Sequence, residues 1–285
     1  MNIKIKGVPS NIGALNTGTE LAPAYLRQAG LIEKLSLNHK VTDLGDVELP
    51  SDLIRHNVAP VRNWPSPKIV WQETSDQLSG CFEDSTFTLV IGGGCSIFTG
   101  VFSHFHALYG DRAKILSVDH HIDVKEPNSE ICMGSTAYTH YFLTSENQWY
   151  TKPNGFTKES FTAYGYSEDT LTEGYDVSGM SLYSKENILI KGVDVVVSES
   201  LSQLIEEDRL IIHLDLDVIC EKDLASVYMP SPQGLEMVTV EKLLKGLVSD
   251  PRVVGLVVTE FSGAYSTSKG DAKKVVNLIS NLFDS

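Results

Sequence analysis

Five short runs of apolar residues, most of them rich in β-branched side chains, most strongly constrain how this chain of 285 residues folds. Each run is apolar on both faces, which is typical of strands in a sheet that is covered on both sides. The runs occupy residues 88–94, 114–119, 187–190, 210–219 and 252–261. Because helical patterns alternate with them, the sequence predicts an α/β fold, with three α/β/α layers and a central, mainly parallel sheet.

Three segments between and after these runs have helical patterns. They cover residues 22–35, a helix that begins at the N-cap Thr239, and residues 268–283. Residues 46–68 and 145–185 show no clear periodicity, so we predict surface loops there, some of them lining the site. No linker, charge block or repeat divides the chain, which predicts a single domain over residues 1–285.

The composition excludes several function classes. A net charge of −14 and the lack of a basic stripe argue against a nucleic-acid partner. No run approaches the roughly 20 apolar residues of a membrane helix, and the N-terminus lacks the apolar core of a signal peptide. The four cysteines are far apart and form no CxxC pair. We therefore expect a reduced, cytoplasmic protein that binds neither nucleic acid nor a membrane.

Polar clusters follow the apolar runs where each predicted strand ends. Asp119, His121 and Asp123 stand at i, i+2 and i+4, which places their side chains on one face of an extended chain. Asp215 and Asp217 repeat the i, i+2 spacing. In sheets of this kind the ligand site forms at the carboxyl ends of the strands. The sequence therefore predicts that these five side chains meet.

Four carboxylates and an imidazole in one place would repel each other unless a cation binds them. Such an oxygen-rich set suits Mn²⁺, and less clearly Fe²⁺ or Zn²⁺, and two cations would deprotonate a shared water near neutral pH. Each cluster alone is more typical of a turn or a helix cap. A glycine-rich loop at 92–96, the two acidic clusters and Glu260 at a further strand end together favour a metal centre.

Four motifs resemble those of the ureohydrolase family, which comprises arginase, agmatinase and formimidoylglutamase. They are "IGGGCS" at 91–96, "VDHHID" at 118–123, "LDLDVI" at 214–219 and "VVTEF" at 257–261. The resemblance extends over almost the whole chain in the family's order. It implies the three-layer α/β/α fold, a binuclear manganese centre and a homo-oligomer.

The resemblance also implies roles for the clustered residues. Asp119 and Asp215 would bridge two Mn²⁺ ions, and His121 and Asp217 would complete the second site. Asp123 would serve the first site and orient the attacking hydroxide.

Cys95 stands where the family has a metal-binding histidine, and Gly94 precedes it where the family has an acid. A thiolate at Cys95 would favour Zn²⁺ or Fe²⁺ over Mn²⁺, and the centre would then hold one ion or two. Alternatively, Cys95 is an inert apolar residue.

Three further residues are predicted to contact the substrate. Glu260 would hold the cationic amidine or guanidinium group. Lys125 would suit a substrate carboxylate, and Ser135 lies in a "GST" segment that loosely resembles the formimidoylglutamase "SSGT". The histidine that arginases carry near this segment is missing, which favours a formimidoylglutamase-like enzyme over an arginase. His120 is predicted to point away from His121 and either to pack or to support a metal ligand from behind, and His104, His106, His140 and His213 are predicted to be surface or core residues.

The sequence thus predicts a metal-dependent hydrolase of a linear C–N bond in a small amidine or guanidine compound, formimidoylglutamase-like or arginase-like. The alternative is a catalytically impaired homologue that regulates another protein or binds a small molecule. A deacetylase-like hydrolase is disfavoured, because that group lacks this combination of acidic motifs.

Overall fold

A computed structural model describes residues 1–83, 85–144, 156–171 and 176–283 of the chain. Its centre is one eight-stranded sheet, in which each pair of neighbouring strands runs parallel. The strands are β1 (Asn2–Gly7), β2 (Lys40–Asp46), β3 (Phe87–Ile91), β4 (Ala113–Val118), β5 (Phe161–Tyr164), β6 (Ser181–Tyr183), β7 (Arg209–Asp215) and β8 (Val253–Thr259). Their order across the sheet is β2-β1-β3-β8-β7-β4-β5-β6.

Helices cover both faces of this sheet. They are α1 (Ala22–Gln28), α2 (Leu31–Leu35), α3 (Ser66–Asp76), α4 (Phe98–Tyr109), α5 (Thr139–Thr144), α6 (Lys185–Lys191), α7 (Val193–Leu201), α8 (Met237–Val248) and α9 (Ser268–Asn281). One apolar cluster joins α1, α2 and α6 to α9 to the sheet. A second cluster joins α4 and α5 to the sheet, and α3 packs against α4. No helix in the described ranges is both long and apolar enough to span a membrane.

The side chains of the central strands alternate between these two clusters. In β3, Leu89 and Ile91 belong to the first cluster, whereas Val90 belongs to the second. In β8, Val258 and Val257 divide in the same way. Apolar residues at consecutive positions are therefore needed to bury both faces. The predicted three-layer α/β/α architecture is confirmed.

The strand predicted at 187–190 is wrong, because these residues lie in α6. Ser184 caps the helix by accepting a hydrogen bond from the Asn187 amide at 3.3 Å, and Gly192 follows its last residue. Leu189 and Ile190 are exposed on the helix surface, with 63% and 83% of their area accessible. Their apolar character therefore reflects a surface helix rather than a buried strand.

All three predicted helices have different bounds in the structure. The segment 22–35 forms two helices, because Gly30 adopts a left-handed φ of 91° between α1 and α2. The helix predicted from Thr239 begins at Met237. The third helix ends at Asn281. Helix ends of this kind depend on contacts that the pattern of apolar residues does not encode.

The predicted loops are partly correct. In the loop predicted at 46–68, β2 ends at Asp46 and α3 begins at Ser66, so the residues between them form the loop. The loop predicted at 145–185 is wrong in part, because this segment contains β5, β6 and the first residue of α6. Residues 145–155 and 172–175 of the predicted loop lie outside the described part of the chain. Strands of four and three residues are too short to show an alternating pattern.

The order of the strands decides where the polar clusters meet. β3, β8, β7 and β4 are consecutive neighbours at the middle of the sheet. Because they are parallel, their carboxyl ends lie at one edge, and the segments that follow them gather there.

Candidate metal centre

A cavity of about 370 Å³ lies at this edge of the sheet. Predicted site residues from four segments line it together: Cys95, His121, Asp123, Asp215, Asp217 and Glu260. All of them except His121 are buried, and the side chain of His121 is 31% exposed. Asp119, which is 2% exposed, lies against His121. The structure thus brings together every metal ligand that the sequence predicts.

The first of two groups of potential ligands consists of Asp119, His121 and Asp217. One ligand atom from each residue lies within 4.8 Å of the others. His121 Nδ1 is 3.1 Å from Asp217 Oδ2 and 3.7 Å from Asp119 Oδ1. Asp119 Oδ2 is buried and has no hydrogen-bond partner among the described residues. A buried carboxylate oxygen without a hydrogen-bond partner is costly, and a bound cation would stabilise it.

The second group consists of Cys95, Asp215 and Glu260, whose ligand atoms also lie within 4.8 Å of one another. The Cys95 thiol donates a hydrogen bond to Asp123 Oδ2 at 3.0 Å. Glu260 Oε1 accepts a hydrogen bond from the Cys95 amide at 2.5 Å, whereas Glu260 Oε2 is buried without a partner in the described chain. The sequence did not predict that Glu260 lies within ligand distance of Cys95.

The side chains converge because the chain turns after each strand. Asp119 Oδ1 accepts a hydrogen bond from the His121 amide at 2.7 Å, and Asp215 Oδ1 accepts one from the Asp217 amide at 2.9 Å. Both are the i to i+2 bonds of Asx turns. Asp123 has a left-handed φ of 53°. The extended chain predicted for residues 119–123 is therefore wrong, although the side chains still converge.

Burial changes the protonation of the clustered carboxylates. Burial, reinforced by neighbouring carboxylates, raises the pKa of Asp119 and Asp215 well above its ordinary value. Burial likewise raises the pKa of Asp123 to about 6 and that of Glu260 to about 8. A cluster of this kind holds protons unless a cation stabilises the ionised forms. The donor set therefore fits divalent cations.

The neighbouring imidazole and thiol respond to the same negative charge. Burial alone would lower the pKa of His121, but the carboxylates led by Asp217 outweigh it and raise this pKa to about 10. Burial, with Asp123 as the leading acidic neighbour, raises the pKa of Cys95 well above its ordinary value. Cations at this centre would displace protons from both side chains.

The sequence of the chain matches the arginase family over residues 1–283. This chain belongs to the arginase family. The arginase of Bacillus subtilis (strain 168) is 27% identical over 246 residues, which cover 82% of this chain and 81% of that protein. Membership of the arginase family supports a hydrolase.

Solved structures of the arginase family have the same fold. Entamoeba histolytica arginase in complex with L-ornithine aligns with a TM-score of 0.88 at 17% identity, over 100% of this chain and 99% of that chain. Trypanosoma cruzi formiminoglutamase with Mn²⁺ aligns with a TM-score of 0.76 at 17% identity, over 98% of this chain and 91% of that chain. Identities this low show a shared fold, so the chemistry depends on the site itself.

Ser135 and Lys125 are not among the described residues that line the cavity. Their contacts with the substrate stay predictions. The Ser135 side chain is fully buried and faces Gly13, where an added Cβ would lie 2.8 Å from the Ser135 Oγ. The Lys125 amide donates a hydrogen bond to the Ala137 carbonyl at 3.2 Å.

The side chains of His120 and His213 lie beside hydroxyl groups. His120 Nε2 lies 3.3 Å from Ser231 Oγ. His213 Nε2 lies 2.9 Å from Thr259 Oγ1, and its ring stacks on Phe98 at 4.4 Å. Of the two alternatives predicted for His213, a surface or a core residue, the structure shows the buried one.

Arg62 and Tyr228 line the cavity, and sequence reasoning assigned neither to the site. Arg62 lies in the loop before α3; its Nε donates to Asn57 Oδ1 at 3.0 Å and its amide donates to the Met133 carbonyl at 2.8 Å. The Tyr228 amide donates to the Glu260 carbonyl at 2.9 Å. The two backbone contacts, with Met133 and Glu260, join segments that are distant in sequence, so no local pattern indicates them. The only sequence signal is that residues 225–235 resemble a formimidoylglutamase segment.

Proposed function

We propose that this member of the arginase family is a metal-dependent hydrolase that cleaves a C–N bond in a small amidine or guanidine compound. The observation that carries this proposal is the pair of ligand groups at one cavity, where Glu260 also presents a buried carboxylate oxygen without a partner. A planar cation with several N–H donors complements that carboxylate.

Two divalent ions, Mn²⁺ in the first instance, suit the donor set. Asp119, His121 and Asp217 would hold one ion, while Cys95 and Asp215 would hold the other with help from Asp123. The structure of Trypanosoma cruzi formiminoglutamase, which has the same fold, is a complex with Mn²⁺, and this supports the choice of metal. When bound, such ions supply positive charge that stabilises the transition state and lowers the pKa of water.

The side chains of the protein would bind and orient the reactants. Glu260 would accept hydrogen bonds from the amidinium N–H groups and hold the carbon atom near the acidic cluster. Asp123 would accept a hydrogen bond from the attacking water. The water oxygen bonds to the amidine carbon, the C–N bond breaks, and the leaving amine takes a proton. Depending on the substrate, the other product is urea or formamide.

An assay of product release tests this proposal. The protein is loaded with Mn²⁺ and incubated with L-arginine, agmatine and N-formimidoyl-L-glutamate, and urea, formamide and ammonia are measured. We expect turnover of at least one compound and none after chelation of the metal. No turnover of any compound by protein that carries two bound ions would contradict the proposal.

The catalytically impaired homologue is a second candidate, and the replacement of a histidine by Cys95 favours it. Under this alternative the purified protein holds at most one ion and releases no product. Recovery of both the second ion and product release by Cys95→His would indicate that it derives from an active enzyme.

Arg62 leads to a prediction about the substrate. It is the one lysine or arginine among the described residues that line the cavity, so it would pair with a substrate carboxylate. We expect Arg62→Gln to raise KM about 10–100-fold for L-arginine or N-formimidoyl-L-glutamate, since a hydrogen bond to a charged group contributes about 1.5–3 kcal/mol. The KM for agmatine, which lacks a carboxylate, should stay unchanged.

Steady-state kinetics of three variants check this prediction. Arg112→Gln, which lies outside the cavity lining, is the control and should behave as the wild type. Lys125→Gln tests the competing assignment from the sequence. A KM for L-arginine that rises in Lys125→Gln but not in Arg62→Gln would show that Lys125 is the carboxylate partner.

A further inference from the structure

We propose that Cys95 binds a metal ion through its thiolate and makes its half of the centre selective for Zn²⁺ or another thiophilic ion, while the other half takes Mn²⁺. This inference rests on the proposed metal centre but concerns only the nature of its two halves. The two alternatives for Cys95 are a thiolate that binds metal and an inert apolar side chain.

The loop before Cys95 fixes the position of its thiol. Gly92 and Gly93 have left-handed φ values of 120° and 64°, and the Gly94 amide donates to the Ser10 carbonyl at 2.9 Å. A Cβ at Gly93 would lie 2.9 Å from the Val8 carbonyl oxygen, so the backbone approaches too closely for a larger residue. This packing fixes the loop after β3, which carries Cys95 two residues beyond Gly93 at the acidic cluster.

The surroundings of the thiol are those of a ligand rather than of a packing residue. Its Sγ lies 3.0 Å from Asp123 Oδ2 and within 4.8 Å of ligand atoms of Asp215 and Glu260. An inert buried cysteine is expected among hydrocarbon side chains, as a small hydrophobic residue. Cys95 instead lines a cavity that it shares with four carboxylates and His121.

Glu260 provides an independent observation at the same place. It is 3% exposed, lines the cavity, and its Oε2 has no hydrogen-bond partner in the described part of the chain. It also has a left-handed φ of 66°, which is uncommon for a residue with a side chain. A buried acceptor in this cavity requires positive charge beside it, which the ion held by Cys95 and the amidinium group held by Glu260 would both supply.

The two groups differ in the softness of their donors. The first group offers two carboxylates and one imidazole, which suit Mn²⁺. The second group offers a sulfur atom with carboxylates, and thiolate ligands favour Zn²⁺, Fe²⁺ or Co²⁺ over Mn²⁺. The two halves therefore have different preferences, and a mixed pair of ions satisfies both.

Cobalt substitution tests this proposal without any assay of activity. The metal-free protein is titrated with Co²⁺, and the near-ultraviolet charge-transfer band of a cobalt–thiolate bond is recorded. We expect the band in the wild type, its loss in Cys95→Ser, and its retention in Cys132→Ser. Cys132 is the matched control, because it lines the same cavity but its thiol contacts Asn57 Oδ1 at 3.2 Å.

Metal competition and X-ray absorption complete the test. After exposure to equal amounts of Mn²⁺ and Zn²⁺, the wild type should hold both ions. The zinc affinity of Cys95→Ser should be at least about 10-fold lower, because even residues that only contact a ligand change metal affinity by about 10–100-fold. X-ray absorption of the zinc-loaded wild type should show a sulfur atom at about 2.3 Å, whether or not the variant folds.

Four results would overturn the inference. Two bound Co²⁺ ions without the thiolate band would leave the metal centre intact but exclude Cys95 as a ligand. A band that persists in Cys95→Ser, or that disappears in Cys132→Ser, would assign the sulfur to another cysteine. Failure of the wild type to bind any divalent ion would overturn both the inference and the proposed function.

Discussion

The substitution Asp215→Asn is expected to abolish hydrolysis and remove metal from the centre. Asp215 is 2% exposed, and its Oδ1 accepts the hydrogen bond of the Asp217 amide at 2.9 Å. An asparagine oxygen accepts the same bond, so the turn should persist while the negative charge is lost. Product release should fall more than about 100-fold, since even outer partners of metal ligands contribute 10–100-fold.

Metal analysis and product assays on purified variants check this prediction. Asp271→Asn is the matched control, because Asp271 is also buried but accepts hydrogen bonds from Ser226 away from the cavity. The control should lose stability yet keep both metal and activity. Full metal content and unchanged turnover in Asp215→Asn would contradict the assignment of this carboxylate as a ligand.

The second large effect is the response of stability to pH and metal. Without metal, the free energy of unfolding should fall as the pH rises from about 6.5 to about 8. Burial raises the pKa of Glu260 to about 8, and the surrounding carboxylates raise that of His121 to about 10. Both groups therefore hold protons in the folded protein that the unfolded chain has lost or is losing.

The sign follows from proton linkage. A folded-state pKa above the unfolded value contributes stability that is complete below the unfolded pKa and disappears as the pH rises through the folded pKa. Each such proton changes the free energy of unfolding by about 1.4 kcal/mol per pH unit. The buried His140 and His213 have lowered pKa values and act in the opposite direction, but only below their ordinary pKa of 6.5.

Thermal unfolding across this pH range, with chelator and with saturating Mn²⁺, provides the measurement. The Tm with chelator should decrease towards pH 8, and Glu260→Gln should flatten that decrease. Because metal binds ionised ligands, the gain in Tm from Mn²⁺ should grow with pH. A Tm with chelator that stays constant or rises over the same range would show that the acidic cluster is not protonated in the metal-free protein.

The fold could be predicted from the sequence where a strand is buried on both faces. Val90 and Val257 pack on one side of the sheet while their neighbours pack on the other, which makes each strand a continuous apolar run. The run at 187–190 is equally apolar, but it lies on a surface helix. Composition does not distinguish these cases, since the helix depends on the cap at Ser184 and the glycine at 192.

The ligand residues could be predicted because they directly follow central strands, and parallel strands end at one edge of the sheet. Their geometry could not, because the convergence depends on Asx turns at Asp119 and Asp215 rather than on an extended chain. The role proposed for Arg62 has no local sequence signal. The Arg62 side chain donates to Asn57 within the same loop, while its amide donates to the Met133 carbonyl, a contact that only the folded chain creates.

Anomalous X-ray scattering tests the central claim, a metal centre of two halves, most directly. Crystals of protein loaded with Mn²⁺ and Zn²⁺ would be measured at both absorption edges. We expect a manganese peak among Asp119, His121 and Asp217 and a zinc peak beside Cys95 and Asp215. The absence of any anomalous peak at the cavity in loaded crystals would contradict the account.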